Sequence, residues 1–396
     1  MAAREIVPNV FAVGSINWDL RYFDAIMPTP RGSSYNAYVI KGSEKSALVD
    51  TGEPNEEAEF ITNLMRLDQN SLDYIVCLHA EQDHSGMLPL MLDVYPMAKV
   101  VTNEKCKELL LEMHNLEDLE ERFIVVGDGE TLSLGDKTLK FYFAPWVHWP
   151  DTMFCEIVED KVLFTSDFLG THYASETLFQ NDDSPEYLEA AKRYYSAIMM
   201  PFRASVQGYL KKIDEIAPKI IGPSHGPVLK MPAKIVDLYR EWSSDTPKNE
   251  VVVAYVSMHG STKQMAGFLV DDLVQRGIPV HQYNLLETDS GVLGSAIVEA
   301  ATVILATPTV LFGPHPVAVN AAYLVRALRP KTRFLGVIGS YGWGTNAVNY
   351  LGDMLAPVGA EFLPPVYIKG LPDESTIAEL HKLADLIEEK HKGLNL

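Results

Sequence analysis

The chain contains 396 residues, 47% of them hydrophobic, and carries a formal net charge of −20. Such a length predicts two domains, each with enough apolar residues for its own core. The negative charge argues against nucleic acid and anionic membrane surfaces as partners, because both would repel the chain. No basic segment precedes an apolar one at the N-terminus, and no apolar run reaches about 18 residues, the length of a membrane span. We therefore expect a cytoplasmic protein that binds neither nucleic acid nor membranes.

The three cysteines, Cys77, Cys106 and Cys155, are widely separated and form no C-x-x-C motif. Metal modules of the rubredoxin or zinc-ribbon type need such motifs, so neither is expected in this chain. An odd number of isolated cysteines instead fits buried thiols in a reducing compartment.

Short β-type runs separated by turn residues dominate the first part of the chain. In chain order these runs are IVPNVFAVGS, YNAYVI, SALVD, YIVCLH, AKVVT, RFIVV, KTLKFYFAP and KVLFTSD. Helical patterns interrupt them at 55–67 and 185–199. The segment SSDTPKNE at 243–250 has no aliphatic side chain and is the best candidate for a linker. We therefore place a sheet-rich α/β domain at 1–247 and a second domain at 248–396.

After the linker, strands and helices alternate regularly. The segments 251–256, 302–307 and 334–340 are largely apolar, as strands of a parallel sheet buried on both faces are. Amphipathic helices are predicted at 262–277, 291–300, 316–328, 345–356 and 374–391. This order predicts a doubly wound, flavodoxin-like parallel sheet, whose ligand binds beyond the carboxyl ends of the strands.

The segment CLHAEQDHSG at 77–86 crowds two histidines and two carboxylates directly after an apolar run. Neighbouring carboxylates repel each other unless a cation offsets their charge, so this segment predicts a metal site. Its candidate ligands are His79, Glu81, Asp83 and His84. The alternative is a polar loop that caps a helix, with Asp83 as the N-cap. Three later candidates follow or end β-type runs, namely His148, Asp167 and His225.

The order H-x-E-x-D-H, H, D, H resembles the metallo-β-lactamase fold, an αββα sandwich with a dinuclear metal site. Zinc hydrolases of that fold carry histidine at the second position, where this chain has Glu81. A carboxylate adds negative charge and hardness, which favours iron over zinc. The resemblance implies a di-iron site in which Asp167 bridges the two ions. One iron is assigned to His79, Glu81 and His148, and the other to Asp83, His84 and His225.

Three loops of the second domain predict a site for FMN. The first, SMHGST at 257–262, offers hydroxyls and a helix N-terminus to a single phosphate, without a lysine. The other two follow the third and fourth strands and carry aromatic side chains suited to a flavin ring. The alternatives are an ordinary capped turn and exposed or subunit-contact aromatics. The candidate FMN-binding residues are Ser257, Met258, His259, Gly260, Ser261, Thr262, Pro308, Thr309, Val310, Phe312, Gly313, Ser340, Tyr341, Gly342, Trp343 and Gly344.

These features together closely resemble the flavodiiron proteins over nearly the whole chain. The motifs that carry the resemblance are HAEQDH, HWPD, SDFLG, PSHG, SMHGST, TPTVLFG and GSYGWG. The resemblance implies an oxidoreductase with a non-haem di-iron centre and FMN, which reduces dioxygen to water, nitric oxide to nitrous oxide, or both. It also implies a head-to-tail homodimer or dimer of dimers, in which the FMN of one subunit faces the irons of the other. Rubredoxin or a reduced deazaflavin coenzyme supplies the electrons in that family.

One residue departs from the family pattern, because many relatives carry tryptophan where this chain has His259. Candidates for the surroundings of the metals are Trp146, Trp149, His172, Tyr173 and Tyr195. On one interpretation, these residues line the pocket for a diatomic substrate or donate protons. On the other, they are core or interface residues.

Two hypotheses compete with a flavodiiron oxidoreductase. One is a zinc-dependent hydrolase of the metallo-β-lactamase fold fused to a flavodoxin-like module, and the other is an electron-transfer flavoprotein with an inactive metal site.

Overall fold

A computed structural model of the chain describes residues 3–67, 69–180 and 184–396. The chain forms two compact units. The first comprises 1–195 and 202–241, and the second comprises 196–201 and 242–396. Within the described residues, no helix is both long enough and apolar enough to span a bilayer.

The strands of the first unit are short, and most of their residues are buried. They are β1 (Arg4–Val7), β2 (Val10–Ala12), β3 (Ser15–Asn17), β4 (Tyr22–Phe23), β5 (Met27–Pro28), β6 (Ser33–Tyr35), β7 (Tyr38–Lys41), β8 (Ser46–Val49), β9 (Tyr74–Val76), β10 (Lys99–Thr102), β11 (Phe123–Val125), β12 (Thr131–Ser133), β13 (Thr138–Phe143), β14 (Met153–Ile157), β15 (Val162–Phe164) and β16 (Ile220–Gly222). The helices are α1 (Glu57–Arg66), α2 (Gln82–Ser85), α3 (Leu88–Val94), α4 (Glu104–His114), α5 (Pro185–Tyr194), α6 (Arg203–Ile216) and α7 (Ala233–Ser243), whose last two residues belong to the second unit.

Two sheets face each other in this unit. One has the strand order β1-β2-β7-β8-β9-β10-β11 and the other β12-β13-β14-β15-β16. Ile40 and Val49 of the first sheet share a buried core with Phe141 and Phe164 of the second. Burial of each such side chain contributes about 1.5–3 kcal/mol.

Helices cover the outer faces of both sheets. Because successive strand residues point to opposite faces, Leu48 lies beneath the helices while its neighbour Val49 lies between the sheets. Leu48 shares a second core with Phe60 of α1 and Leu88 of α3. On the second sheet, the ring of Phe154 contacts that of Tyr209 on α6, with 5.8 Å between centroids. The predicted αββα sandwich is confirmed.

The second unit alternates strands and helices. Its elements are β17 (Lys248–Tyr255), α8 (Ser261–Gln275), β18 (Val280–Asn284), α9 (Ser290–Ile297), β19 (Ala300–Val310), β20 (Gly313–Pro314), α10 (Pro316–Leu328), β21 (Phe334–Tyr341), α11 (Ala347–Leu355), β22 (Glu361–Phe362), β23 (Val366–Lys369) and α12 (Glu374–Gly393). The parallel strands follow the order β18-β17-β19-β21, and both β22 and β23 pair with β21. This order is that of a flavodoxin-like sheet, so the predicted fold of the second domain is also confirmed.

Several sequence-based bounds differ from those of the structure; the helix predicted at 291–300, for example, ends at Ile297. The proposed linker 243–250 is shorter, because β17 begins at Lys248 and pairs there with Ala300 of β19. The helix predicted at 185–199 ends at Tyr194 and continues as a π-helical turn over 195–199. The turn rotates the residues after Tyr194 relative to a regular helix.

Candidate metal and flavin sites

The metal-ligand candidates lie in loops that follow neighbouring strands. The segment 77–86 follows β9, Asp167 follows β15, and His225 follows β16. His148 lies in the loop between β13 and β14. Because β15 and β16 are parallel neighbours, their following loops emerge at the same edge of the sheet.

Asp83 does not cap a helix, so the alternative reading of this segment is wrong. The helix α2 begins at Gln82, and its N-cap residue is Glu81, whose side chain makes no capping hydrogen bond. Asp83 lies inside the helix and is buried. Its carboxylate oxygen Oδ2 lies 3.1 Å from Nε2 of His225.

One group of side chains gathers around Glu81. Its carboxylate oxygen Oε2 lies 3.1 Å from Nε2 of His79 and 3.1 Å from Nε2 of His148. Oδ2 of Asp167 lies 3.5 Å from the first of these nitrogens and 3.3 Å from the second. These four residues form one candidate metal-binding group.

Asp83, His84 and His225 form a second candidate group. The other carboxylate oxygen of Asp167, Oδ1, faces this group, 3.1 Å from Nε2 of His84 and 3.3 Å from Nε2 of His225. The two oxygens of Asp167 therefore point to different groups, as a carboxylate between two metal ions does.

The geometry fits metal ions better than hydrogen bonds. Nε2 of His84, Oδ2 of Asp167 and both carboxylate oxygens of Asp83 are buried and have no hydrogen-bond partner among the described residues. They nevertheless lie close to nitrogens or oxygens of neighbouring ligand candidates. Around an ion with bonds of about 2.1 Å, adjacent ligand atoms are about 3.0–3.4 Å apart, which is close to the separations found here.

The charges of the cluster also favour binding of a cation. Burial alone would raise the pKa of Asp167, but the imidazoles of His84, His148 and His225 outweigh burial and hold that pKa well below its usual range. Burial alone would lower the pKa of His148, but Asp167 and Glu81 outweigh it and raise that pKa to about 9. The buried carboxylates are thus neutralised either by protons on the imidazoles or by metal ions, which compete for the same nitrogens.

Hydrogen bonds on the far side of two imidazoles orient them. Nδ1 of His79 lies 3.4 Å from the carboxylate of Asp151, which also accepts a hydrogen bond of 2.8 Å from the backbone N–H of Ala80. Nδ1 of His225 donates to the carbonyl oxygen of Ser34 over 2.8 Å. A proton held on Nδ1 leaves Nε2 with a free lone pair, the form that binds a metal.

Tyr194, rather than Tyr195, contacts the candidate bridging carboxylate. Its hydroxyl donates to Oδ1 of Asp167 over 3.1 Å and also lies 3.1 Å from the backbone oxygen of that residue. The ring of Tyr195 packs against Tyr239, with 5.1 Å between centroids. Tyr194 is the last residue of α5, and Tyr195 is the first residue of the π-helical turn.

Replacing Tyr194 by phenylalanine is expected to weaken metal binding about tenfold, because the hydrogen bond that holds Oδ1 of Asp167 in place is lost. The measurement is competition with a chelator of known affinity. Tyr195→Phe is the matched control and should leave the metal affinity unchanged. Equal losses in both variants would show that the hydroxyl of Tyr194 has no special role.

His172 and Trp149, two further candidates for the surroundings of the metals, pack beside imidazoles of the ligand candidates. His172 is buried, its Nδ1 lies 2.8 Å from Oγ of Ser33, and its ring centroid lies 4.8 Å from that of His225. Burial lowers the pKa of His172 well below its usual range, so this imidazole is neutral. The ring of Trp149 lies 4.9 Å from that of His79.

Trp146 and Tyr173 make their described ring contacts away from the ligand candidates. Trp146 is 51% exposed and stacks on Phe202, with 6.2 Å between centroids. Tyr173 packs edge-on against Tyr187.

Two buried aspartates near the site were not identified from the sequence. Asp151 orients His79, as described above. Asp50 accepts a hydrogen bond of 2.9 Å from the backbone N–H of Leu78, and burial, partly offset by His84, raises the pKa of Asp50 to about 6. Asp50 directly follows β8 and Asp151 lies two residues before β14, and nothing in their spacing distinguishes a supporting residue from a turn residue.

A cavity of about 290 Å³ lies at the carboxyl ends of β17, β19 and β21. This is where a flavodoxin-like sheet binds its ligand. All three predicted loops contribute to it. Its lining residues are Ser257, Met258, His259, Ser261, Thr262, Pro308, Thr309, Ser340, Tyr341, Gly342, Gly370 and Leu371.

Some flavin candidates lie outside the lining of this cavity. They are Gly260, Val310, Phe312, Gly313, Trp343 and Gly344. Phe312 and Trp343 instead stack on each other, with 6.2 Å between centroids, and are 49% and 78% exposed. Gly260 is the N-cap of α8 and has φ of +90°, a conformation that glycine adopts without strain.

A fourth loop, which the sequence did not indicate, completes the cavity. It contains Gly370 and Leu371 and follows β23. The hydroxyl of Ser261 donates to the carbonyl oxygen of Gly370 over 2.7 Å, which joins this loop to the predicted phosphate loop. The hydroxyl of Thr309 forms a polar edge with Thr345 and Tyr367, at 2.7 and 3.0 Å. The cavity thus combines a helix N-terminus for an anion with polar groups for a flavin ring.

Comparisons with known proteins match both units. Residues 34–226 match the family model described as ODP family beta lactamase, and residues 253–382 match the flavodoxin model. The chain is 34% identical over 367 residues to the nitric oxide reductase of Moorella thermoacetica, with 90% of each chain covered. It is 30% identical over 398 residues to the rubredoxin-oxygen oxidoreductase of Megalodesulfovibrio gigas, with 98% of each covered.

Solved structures agree over the whole length. The rubredoxin oxygen:oxidoreductase from the anaerobe Desulfovibrio gigas matches with a TM-score of 0.94 and 29% identity, covering 99% of both chains. The flavodiiron protein from Giardia intestinalis matches with a TM-score of 0.90 and 27% identity, covering 98% of both chains. Since both domain models match in the expected order and curated relatives of at least 30% identity align over 90% or more of the chain, this chain belongs to the flavodiiron protein family.

Proposed function

We propose that this protein is an oxidoreductase that reduces dioxygen to water, nitric oxide to nitrous oxide, or both, with FMN and a non-haem di-iron centre. A separate carrier supplies the electrons. Relatives named nitric oxide reductase and rubredoxin-oxygen oxidoreductase support both reactions and support rubredoxin as one donor class. A reduced deazaflavin coenzyme is the other donor we consider.

The position of Asp167 carries this proposal. Its two oxygens face separate groups of ligand candidates within one buried cluster, which supports two metal ions held side by side. We assign His79, Glu81 and His148 to one iron and Asp83, His84 and His225 to the other. Glu81 supports iron rather than zinc, because a carboxylate replaces a neutral imidazole.

The di-iron centre and FMN supply redox chemistry, since each can store two electrons, which together match the four needed for dioxygen. The chain supplies position and charge. Glu81 and Asp167 hold negative charge between the imidazoles, and the hydroxyl of Tyr194 holds a proton at Oδ1 of Asp167. The side chains of Asp83, His84 and His225 are almost fully buried, which keeps bulk water from that part of the centre.

We further propose a head-to-tail homodimer, alone or paired as a dimer of dimers, in which the flavin of one subunit faces the irons of the other. Exposed aromatic side chains support it. Trp146 is exposed close in sequence to His148, and Phe312 and Trp343 are exposed between the ends of β19 and β21 and the following helices. Exposed apolar side chains that form a patch, as the stacked rings of Phe312 and Trp343 do, are typical of surfaces that another molecule covers.

The three cysteines are free and buried, which fits a reducing, cytoplasmic location.

Trp343→Asp is expected to raise the dissociation constant of the dimer at least tenfold, because a charge replaces an exposed aromatic ring at the proposed contact. Sedimentation velocity over a range of protein concentrations measures it. Met97→Asp, at another exposed apolar position, is the control and should leave the dimer intact. If Trp343→Asp instead lowers FMN affinity and leaves the dimer unchanged, this side chain belongs to the flavin site.

The proposed activity is tested with the purified, anaerobically reduced protein. Two irons and one FMN per chain are expected, and mixing with dioxygen or nitric oxide should reoxidise the flavin rapidly. Asp83→Ala should abolish this reoxidation while the FMN content stays the same. Two zinc ions and no iron would favour the hydrolase instead, whereas turnover unchanged in Asp83→Ala would favour an electron-transfer flavoprotein with an inactive metal site.

A further inference from the structure

The side chain of Tyr367 reaches two threonines on a strand that is not its neighbour. Tyr367 lies on β23, which pairs with β21, whereas Thr307 and Thr309 lie on β19, on the other side of β21. The ring crosses β21 at Gly339, where an added Cβ would come within 2.7 Å of the ring atom Cε2. A glycine at this position therefore makes room for the crossing. The ring is also stacked on Tyr341, with 6.3 Å between centroids.

A row of hydrogen bonds connects these residues at the edge of the flavin cavity. Oη of Tyr367 lies 3.0 Å from the carbonyl oxygen of Thr307 and 3.0 Å from Oγ1 of Thr309. Oγ1 of Thr309 lies 2.7 Å from Oγ1 of Thr345, which accepts a hydrogen bond of 3.1 Å from the backbone N–H of Ala347. Among the described residues of this row, Thr309 is the one that lines the cavity.

The direction of each hydrogen bond follows from the number of protons available. A carbonyl oxygen only accepts, so Tyr367 donates its single proton to Thr307. Burial raises the pKa of Tyr367, partly offset by the hydroxyls of Thr309 and Thr345, so the phenol keeps this proton at neutral pH. Thr309 must then donate to Oη of Tyr367, and Thr345 must donate to Thr309. In this assignment every contact of the row is a hydrogen bond.

These directions decide what the hydroxyl of Thr309 can offer to a ligand. A hydroxyl donates one hydrogen bond and accepts two. Thr309 donates its proton to Tyr367 and accepts one hydrogen bond from Thr345, so one lone pair remains for the cavity. Towards a ligand, the hydroxyl of Thr309 is therefore an acceptor and not a donor.

We propose that Tyr367, together with Thr345, is a positioning residue that holds the hydroxyl of Thr309 as the acceptor for an N–H group of the flavin ring. The inference rests on the proposed function, which places FMN in this cavity. The oxidised ring has one N–H group, at N3, and reduction adds another at N5. The remaining polar atoms of the oxidised ring are acceptors, which a hydroxyl held in this way does not bind. The row of hydrogen bonds thus selects the edge of the ring, or the redox state, that this side of the cavity binds.

The experiment compares the binding of oxidised and reduced FMN by the full chain with its metals bound. Anaerobic quenching of flavin fluorescence gives the dissociation constant of oxidised FMN, and a redox titration followed by flavin absorbance gives the ratio of this constant to that of reduced FMN. We expect Thr309→Val, which removes the acceptor and keeps the shape, to weaken binding of the flavin that carries the N–H about threefold to tenfold. A greater loss for reduced FMN would identify an N–H formed on reduction. An equal loss in both states that is absent for FMN methylated at N3 would identify the N3–H group.

Tyr367→Phe tests the positioning role, because it leaves Thr309 in place and removes the acceptor of its proton. That proton then becomes available to the cavity, so binding should weaken in the same redox state, by no more than in Thr309→Val. Tyr367→Phe should have no further effect when Thr309 is already valine, because Tyr367 acts through the hydroxyl of Thr309. Tyr323→Phe, at an exposed position on α10, is the matched control and should bind FMN as the unmodified chain does.

The outcomes separate this inference from the proposed function. A greater loss for oxidised FMN in Thr309→Val, or an equal loss that persists with FMN methylated at N3, would show that Thr309 donates to the ring and would overturn the inference. Unchanged binding in Thr309→Val would also overturn it, as would an effect of Tyr367→Phe that persists without the hydroxyl of Thr309. In each of these cases FMN is still bound, which leaves the proposed function intact. Failure of the unmodified chain to bind FMN would contradict the proposed function.

Discussion

Asp167→Ala is expected to remove both irons and to slow gas-driven reoxidation of the flavin by at least about a hundredfold. The reason is that each group of ligand candidates loses the oxygen that faces it, Oδ2 on the His79 and His148 side and Oδ1 on the His84 and His225 side. Substitution of a ligand that serves one ion should affect that ion more than the other. The substitution Asp167→Ala is expected to affect both ions equally.

Metal content by mass spectrometry and anaerobic stopped-flow absorbance of the flavin test this expectation. FMN content should not change, because the described residues that line the flavin cavity all belong to the second unit. Asp118→Ala removes a carboxylate from an exposed position and is the matched control. Retention of one full equivalent of iron in Asp167→Ala would show that this residue serves a single ion, and full retention of both would remove it from the centre.

The sequence located much of the candidate metal site because its chemistry follows strand ends. His79, Asp167 and His225 each come shortly after a short apolar run, and strands of one sandwich bring such positions to a common edge. The crowding of charge in HAEQDH gave an independent signal, since carboxylates do not cluster without a counter-charge. Both signals are local, so they can be read without knowing which strands pair.

Residues that support the ligands gave no such signal. Asp151 and Tyr194 act through contacts between distant parts of the chain, with His79 and with Asp167. Tyr195, the candidate chosen from the sequence, begins the π-helical turn and packs against Tyr239, whereas its neighbour Tyr194 contacts Asp167. The loop at Gly370 was missed for a related reason, since a short glycine-containing turn after a brief strand resembles any other connection.

Glu81→His is expected to reverse the metal preference of the site. Oε2 of Glu81 lies between the nitrogens of His79 and His148, so it contributes negative charge at the centre of its group. Histidine at this position removes that charge and supplies a softer nitrogen donor, which favours zinc. We expect the iron-to-zinc ratio to fall at least about tenfold when the metal-free protein is offered equal amounts of the two ions, and reoxidation of the flavin by either gas to fall with it.

Glu81→Gln separates the two causes, because it removes the charge and keeps an oxygen at nearly the same place. If charge sets the preference, both variants should lose iron in favour of zinc. If the type of donor atom sets it, only Glu81→His should do so. An iron-loaded Glu81→His protein that still reoxidises at the full rate would contradict both explanations. Selectivity for iron would then have to reside in the group formed by Asp83, His84 and His225. In that group, the two carboxylate oxygens of Asp83 have no hydrogen-bond partner among the described residues, so they are available to a metal ion.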